Sequence, residues 1–185
     1  MCFRKDAWEH IIRSKEHTNM TEQASALITF YKGWENYQQG LVETIASLSS
    51  EQLAFPIASH HWSIGMLLTH MIDARVLWFQ LWMGEGNPDL AHWNDDEQPV
   101  REAAELVAMF EKTWHTIADA LARWTSADLE HLFPTPAFVS EEEREDFPPC
   151  TRQWIVWHVL EHEIHHGGEL SLALGGYGLE SFYTW

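Results

Sequence analysis

Apolar residues return along this chain at alternating steps of four and three, the period of an amphipathic helix, in four separate stretches. The first runs from Thr21 to Leu48, with Leu27, Tyr31, Trp34, Gln38, Leu41, Ile45 and Leu48 on one seam. Thr21 supplies an N-cap and Glu22 a favourable first-turn charge. The second runs from Ile64 to Trp82 behind the cap residue Ser63, with Ile64, Leu67, Leu68, Met71, Trp78 and Leu81 inward, and stops at Gly84, Gly86, Asn87 and Pro88. The third opens near Pro99 and carries Ala103, Val107, Phe110, Trp114, Ile117, Leu121 and Trp124. The fourth is capped by Thr151 and extends to about Leu174, before Gly175, Gly176 and Gly178.

Between these stretches the pattern lapses. Ser49 to Trp62 holds Pro56 and the adjacent His60 and His61 and reads as a connection; a polar, acidic loop follows the second helix to Gln98. From Thr125 to Cys150 there is one short helical turn, Ser126 to Leu132, then Pro134, Pro136, a solvated acidic run from Ser140 to Asp146, and Pro148-Pro149. No strand alternation appears, so β-structure has little claim. The expected fold is all-α, a four-helix bundle with a long connection between its third and fourth helices. Residues 1–20 are charged and aperiodic apart from Trp8, Ile11 and Ile12, and read as a peripheral extension; residues 21–185 form a single bundle domain.

Composition narrows the partners. With 11 basic and 28 acidic residues, the net charge of -17 repels phosphate backbones and anionic lipid, which argues against nucleic acid and membrane. No apolar run reaches the 18 or so residues of a membrane span, and no signal peptide is visible at the N-terminus. Two cysteines, Cys2 and Cys150, make no disulfide framework, which suits a cytoplasmic protein. The eleven tryptophans are read as core and cap packing. Exposed aromatics leave room for a homodimer.

Chemistry enters on the fourth stretch. His158, His162 and His166 lie four apart and stack along one helix face, with His162 and His166 on the expected inward seam; His165 points about 100° away from His166. Buried imidazoles without partners cost on the order of 1–3 kcal/mol each. A divalent metal would satisfy them, because a His-x3-His pair on one helix offers two nitrogens to a single ion. The third ligand has to come from another helix, and His70, mid-helix among apolar neighbours, is the best placed. Three neutral imidazoles leave positions open for water or substrate, and zinc, nickel or ferrous iron all suit nitrogen ligands.

His162-Glu163-Ile164-His165-His166 also matches the zinc-peptidase pattern H-E-x-x-H, in which the glutamate is a general base. The extended peptidase pattern requires glycine at 169 and histidine at 172, where this chain has Glu169 and Leu172. Glu163 is then either a partner of the site or a solvated helix residue.

Trp62 to His70 (W-S-I-G-M-L-L-T-H) and His158 to Leu170 (H-V-L-E-H-E-I-H-H-G-G-E-L) resemble the second- and fourth-helix motifs of the DinB-like (DinB/YfiT) family of bacterial metal-dependent four-helix bundles. The resemblance covers about residues 21 to 175 and implies His70, His162 and His166 as metal ligands. It makes His158 a neighbour one turn away. After the last histidine the family more usually has a basic residue followed by glycine; here Gly167 takes the basic place, ahead of Gly168. Family activities include thiol S-transfer with low-molecular-weight thiols such as bacillithiol or mycothiol. The implied function is therefore a metal-dependent thiol S-transferase acting on small electrophiles, with a low-molecular-weight thiol as co-substrate. A metal-dependent hydrolase using Glu163 or His158 to move protons, and a metal-binding bundle without turnover, are the alternatives. The loop Ala58 to Trp62, with His60 and His61, is a further candidate for substrate contact.

Overall fold

Ser63 opens the second long helix as its spacing predicts: its side chain accepts a hydrogen bond from the Met66 amide. Thr151 does the same for Trp154 at the start of the fourth. The computed structural model describes residues 27, 29–57, 62–94 and 101–182. The expected Thr21 cap, the opening at Pro99, the extension 1–20 and the pair His60 and His61 lie outside the described residues. Four long helices form the bundle: α1 (Lys32–Ala46), α2 (Ile64–Arg75), α3 (Ala103–Arg123) and α4 (Arg152–Gly176). α2 continues as a π-helical segment, Val76–Trp82. α1 packs on α3, and α2 lies against both α3 and α4. The protein is thus all-α, with residues 124–151 as the long connection expected between the last two helices.

The inward faces differ from the predicted seams in ways that matter for the site. On α1 the seam holds: Trp34, Gln38, Leu41 and Ile45 are buried, Gln38 included. On α3 the buried line is Leu106, Met109, Phe110, Thr113, Ile117, Ala120 and Leu121, so the face is rotated away from Ala103, Val107 and Trp114. On α2 the wider turn of the π segment carries both Trp78 and Trp82 inward together with Phe79. Leu81, expected inward, is only partly covered. On α4 the centre of the buried line is Glu163, which has no exposure at all, with His162 displaced to its flank. α4 also runs past Leu174 to Gly176, and Gly178 turns the chain with a φ of 71°.

Three connections carry more order than their composition suggests. Ser49 to Leu53 forms a turn of helix closed by a reciprocal capping box between Ser49 and Gln52. The polar segment after Gly86 contains a 3-10 stretch, Pro88–Asn94, that buries Trp93 beneath the Arg101 guanidinium. In the long connection, Leu132–Phe133 (β1) pairs antiparallel with Cys150–Thr151 (β2), a small amount of β-structure in an otherwise helical chain. The pairing closes a loop that local alternation could not reveal, since two-residue strands have no period. Arg152 fastens it further, donating to the Asp128 carbonyl at 2.7 Å and lying over the Trp124 ring. The acidic run Ser140 to Asp146 is exposed, as expected.

The Tyr37 side chain of α1 reaches α4 at Gly167. The Tyr37 hydroxyl donates to the Glu163 carbonyl at 2.5 Å and lies directly over Gly167, where an added Cβ would collide with it. The departure from the family's basic residue at this position is thereby explained: Tyr37 fills the space that a side chain would need. Gly167→Ala is expected to destabilise the fold by about 1–3 kcal/mol, the cost of overpacking a tight contact. Gly168→Ala, with nothing within 4 Å, is expected to gain about 0.5–1 kcal/mol from helix propensity. Urea denaturation of the two variants side by side checks this; equal effects would contradict it.

Candidate metal centre

His70 and His162 reach each other across the α2–α4 contact, because both sit on the helix flanks facing one another. Their Nε2 atoms are 3.0 Å apart. His166, one turn along α4, adds its ring edge-on at 4.3 Å from the His162 centroid and 5.0 Å from that of His70. One nitrogen from each of the three lies within 4.8 Å of the others. The three residues picked from sequence are therefore brought together. They stand beside the core and not at its centre: His166 is buried, His70 and His162 are half-buried.

A metal ion fits this donor set on chemical grounds. A tetrahedral ion with bonds of about 2.0–2.1 Å holds its ligand nitrogens about 3.3 Å apart, close to the His70–His162 spacing. The Glu169 carboxylate lies 2.8 Å from Nδ1 of His166, which fixes that nitrogen as the protonated one and leaves Nε2 as the lone-pair donor. Imidazoles must be neutral to ligate. Burial, followed by the proximity of His166, His70, His158 and His165, pushes the His162 pKa from its ordinary 6.5 down to about 3.

This depression has a consequence for stability. Above pH 6.5 His162 is neutral in folded and unfolded chains alike and contributes nothing to the pH dependence. As pH falls from 6.5 towards 3, the unfolded chain takes up the proton and the folded one refuses it, so stability is lost across that window. In metal-free protein the difference in Tm between the wild-type chain and His162→Asn is expected to fall steadily from pH 6.5 to 3. A difference independent of pH would contradict it.

The remaining histidines divide. His158 is not in the cluster; its ring stacks on Trp154 at 4.8 Å and meets the edge of Trp78 at 5.0 Å, with the His162 ring 6.2 Å away. His165 is exposed and lies 3.7 Å from the other oxygen of Glu169.

Glu163, which the H-E-x-x-H pattern casts as a general base and which also reads as a solvated residue, is neither. It is fully buried and held by Arg75, whose Nε donates to Oε1 at 2.5 Å and whose Nη2 donates to Oε2 at 2.9 Å. The Trp34 indole donates to the same Oε2 at 2.7 Å. The rest of the guanidinium is spent on Gln38 Oε1, the Phe110 carbonyl and Thr113 Oγ1. All five donors of Arg75 thus find acceptors. Neither Arg75 nor Glu169 stood out in the sequence as a site residue. The signal was present for Arg75: Gln38, Arg75, Thr113 and Glu163 are polar residues on the buried lines of four successive helices.

A four-helix bundle with two histidines from its last long helix and one from its second is the class these features define. The chain belongs to the DinB family, whose model matches residues 18–184. Among solved structures it is similar to a DinB-like protein from Bacillus cereus ATCC 10987, with a TM-score of 0.62 and 20% identity over 84% of this chain and 95% of that one. At that identity the likeness bears on the fold alone. No curated protein matches the chain. No helix among the described residues is long and apolar enough to cross a membrane.

Proposed function

We propose that His70, His162 and His166 bind one divalent ion, zinc, nickel or ferrous iron, and that the protein is a cytoplasmic thiol S-transferase acting on small electrophiles. The convergence of three imidazoles on one point, with no carboxylate among them, carries this reading. The ion, when bound, supplies Lewis acidity that lowers the pKa of a coordinated thiol.

The chain's own residues do the rest. The three imidazoles hold the ion while leaving positions for ligands, and Glu169 keeps His166 in the ligating tautomer. The sulfur comes from a small co-substrate thiol: the thiol of Cys150 is buried, and burial pushes its pKa up, which keeps it protonated and unreactive. In the overall reaction an S–C bond forms at the electrophile, its bond to the leaving group breaks, and the thiol proton departs with that group. The hydrolytic alternative is weakened because the Glu163 carboxylate is occupied by Arg75 and Trp34 and is not available to move a proton. Apolar residues exposed on one face of α4, Trp157, Ile164 and Leu172, support a homodimer.

The test is direct. Protein loaded in turn with zinc, nickel and ferrous iron is given bacillithiol or mycothiol with chlorodinitrobenzene or monobromobimane. Conjugation above the uncatalysed rate, abolished in His162→Ala, is the expected result. Absence of any metal-dependent acceleration with every thiol would refute the transferase reading.

A further inference from the structure

One helical turn towards the N-terminus of α4 from the histidine cluster, the chain encloses a cleft of about 550 Å³. This is within the volume range of small-molecule sites. Its walls are flat: Trp78 from the π segment, Trp154 and His158 from α4, and Phe147, Pro148 and Pro149 from the end of the long connection. The Pro-Pro pair is held over α4 by the β1–β2 pairing, which anchors the neighbouring Cys150 and Thr151.

Two observations give this cleft a direction. His158 is its polar group nearest the histidine cluster, and among the described residues its ring nitrogens make no hydrogen bond; the ring is held only by stacking on Trp154 and by the edge of Trp78. An imidazole clamped between aromatic rings and facing a largely apolar space is oriented for a hydrogen bond that the described residues do not supply. The His158 ring also stands next to His162, at 6.2 Å, which makes it the wall residue of the cleft that lies beside the cluster. Trp154 is 46% exposed although it faces this cleft, which leaves a large aromatic surface uncovered.

We infer that this cleft is the binding site for the second substrate, and that the substrate is a small planar aromatic molecule carrying a hydroxyl that donates a hydrogen bond to a ring nitrogen of His158. The inference rests on the transferase reading for the word substrate, but the binding itself does not. The aromatic plane lies against Trp78 and Trp154 beneath Pro148 and Pro149, and the polar substituent points along α4 towards His162. The arrangement gives selectivity for flat rings over aliphatic electrophiles of equal size, because stacking on the indoles requires a plane.

Calorimetric titration of the metal-stripped protein, without thiol, tests the site using naphthol and its methyl ether, methoxynaphthalene. Naphthol is expected to bind with one site per chain and about tenfold more tightly than the ether, which cannot donate to an imidazole nitrogen. Trp154→Ala, a substitution at a partly exposed position, is expected to weaken naphthol by about tenfold. His158→Phe is expected to bring the two ligands to equal affinity; the ratio is measured within one variant, so any change in overall stability cancels. No binding by the wild-type protein, undiminished binding in Trp154→Ala, or a preference for naphthol that survives His158→Phe would each overturn the assignment. The titration and the conjugation assay fail separately. Binding without conjugation leaves the cleft and removes the transferase, whereas conjugation of aliphatic electrophiles with no naphthol binding does the reverse.

Discussion

Arg75→Met is expected to destabilise the protein by about 3–5 kcal/mol, because it leaves the Glu163 carboxylate buried without its counter-ion. Both side chains have no solvent exposure, so water cannot replace the lost partner. The substitution also strands Gln38 Oε1, whereas Thr113 Oγ1 and the Phe110 carbonyl lose the guanidinium but keep their bonds within α1 and α3. Glu163→Gln is expected to cost less, since an amide keeps an oxygen for Trp34 and for one guanidinium nitrogen. The double variant Arg75→Met with Glu163→Leu should recover part of the loss, because both charges leave together; Gln38 and Trp34 remain unsatisfied and prevent full recovery. Urea denaturation with an unchanged slope measures all three. An Arg75→Met protein within about 1 kcal/mol of the wild type would show that the pair does not hold α1, α2, α3 and α4 together.

Metal content is the second large effect. Wild-type protein passed through a desalting column after incubation with zinc should retain about one ion per chain. His70→Ala, His162→Ala and His166→Ala should each retain almost none, since a site reduced to two imidazoles has lost a third of its ligands. His165→Ala and His158→Ala should stay fully loaded, because the first side chain points outward and the second ring is held in the aromatic stack. Glu169→Gln should keep the ion with about 10- to 100-fold weaker affinity, the usual cost of losing the carboxylate behind a ligating histidine. The thermal midpoint offers an independent reading: at a hundredfold excess over Kd, bound ion adds about 2.7 kcal/mol, and the three triad variants should show no such gain. Full occupancy in any one of them removes that residue from the centre.

That His70, His162 and His166 cluster could be anticipated from the sequence because helical geometry is local. A four-residue step on α4 places His162 and His166 on adjacent turns whatever surrounds them, and His70 stood out as an imidazole among apolar neighbours in the middle of α2. The role of Glu163 could not be read in the same way. It lies among His162, His165 and His166 in the chain, which suggests a peptidase base, a partner of the site or a solvated residue, whereas its partner Arg75 is 88 positions away and Trp34 is 129. The α4 seam departs from expectation at one place for the same reason: Ile155, Val159, His166 and Leu170 are buried as expected, but Glu163 takes the buried place beside His162, since a carboxylate reads as polar until its counter-ion is known. Once Arg75 neutralises it, Glu163 can occupy the core and leave His162 on the flank.

Periodicity, caps and the glycine and proline stops were sufficient for four helices, their order, the Ser63 and Thr151 starts and the long third connection, because each of these depends on residues within a few positions of one another. What only the tertiary structure decided is which way each helix faces and what its polar core residues do. The Arg75–Glu163 pair, the Tyr37 contact on Gly167, the β1–β2 clasp and the aromatic cleft beside His158 all join segments far apart in the chain. Their free energy comes from desolvated charges and packed surfaces that exist only after the helices have met.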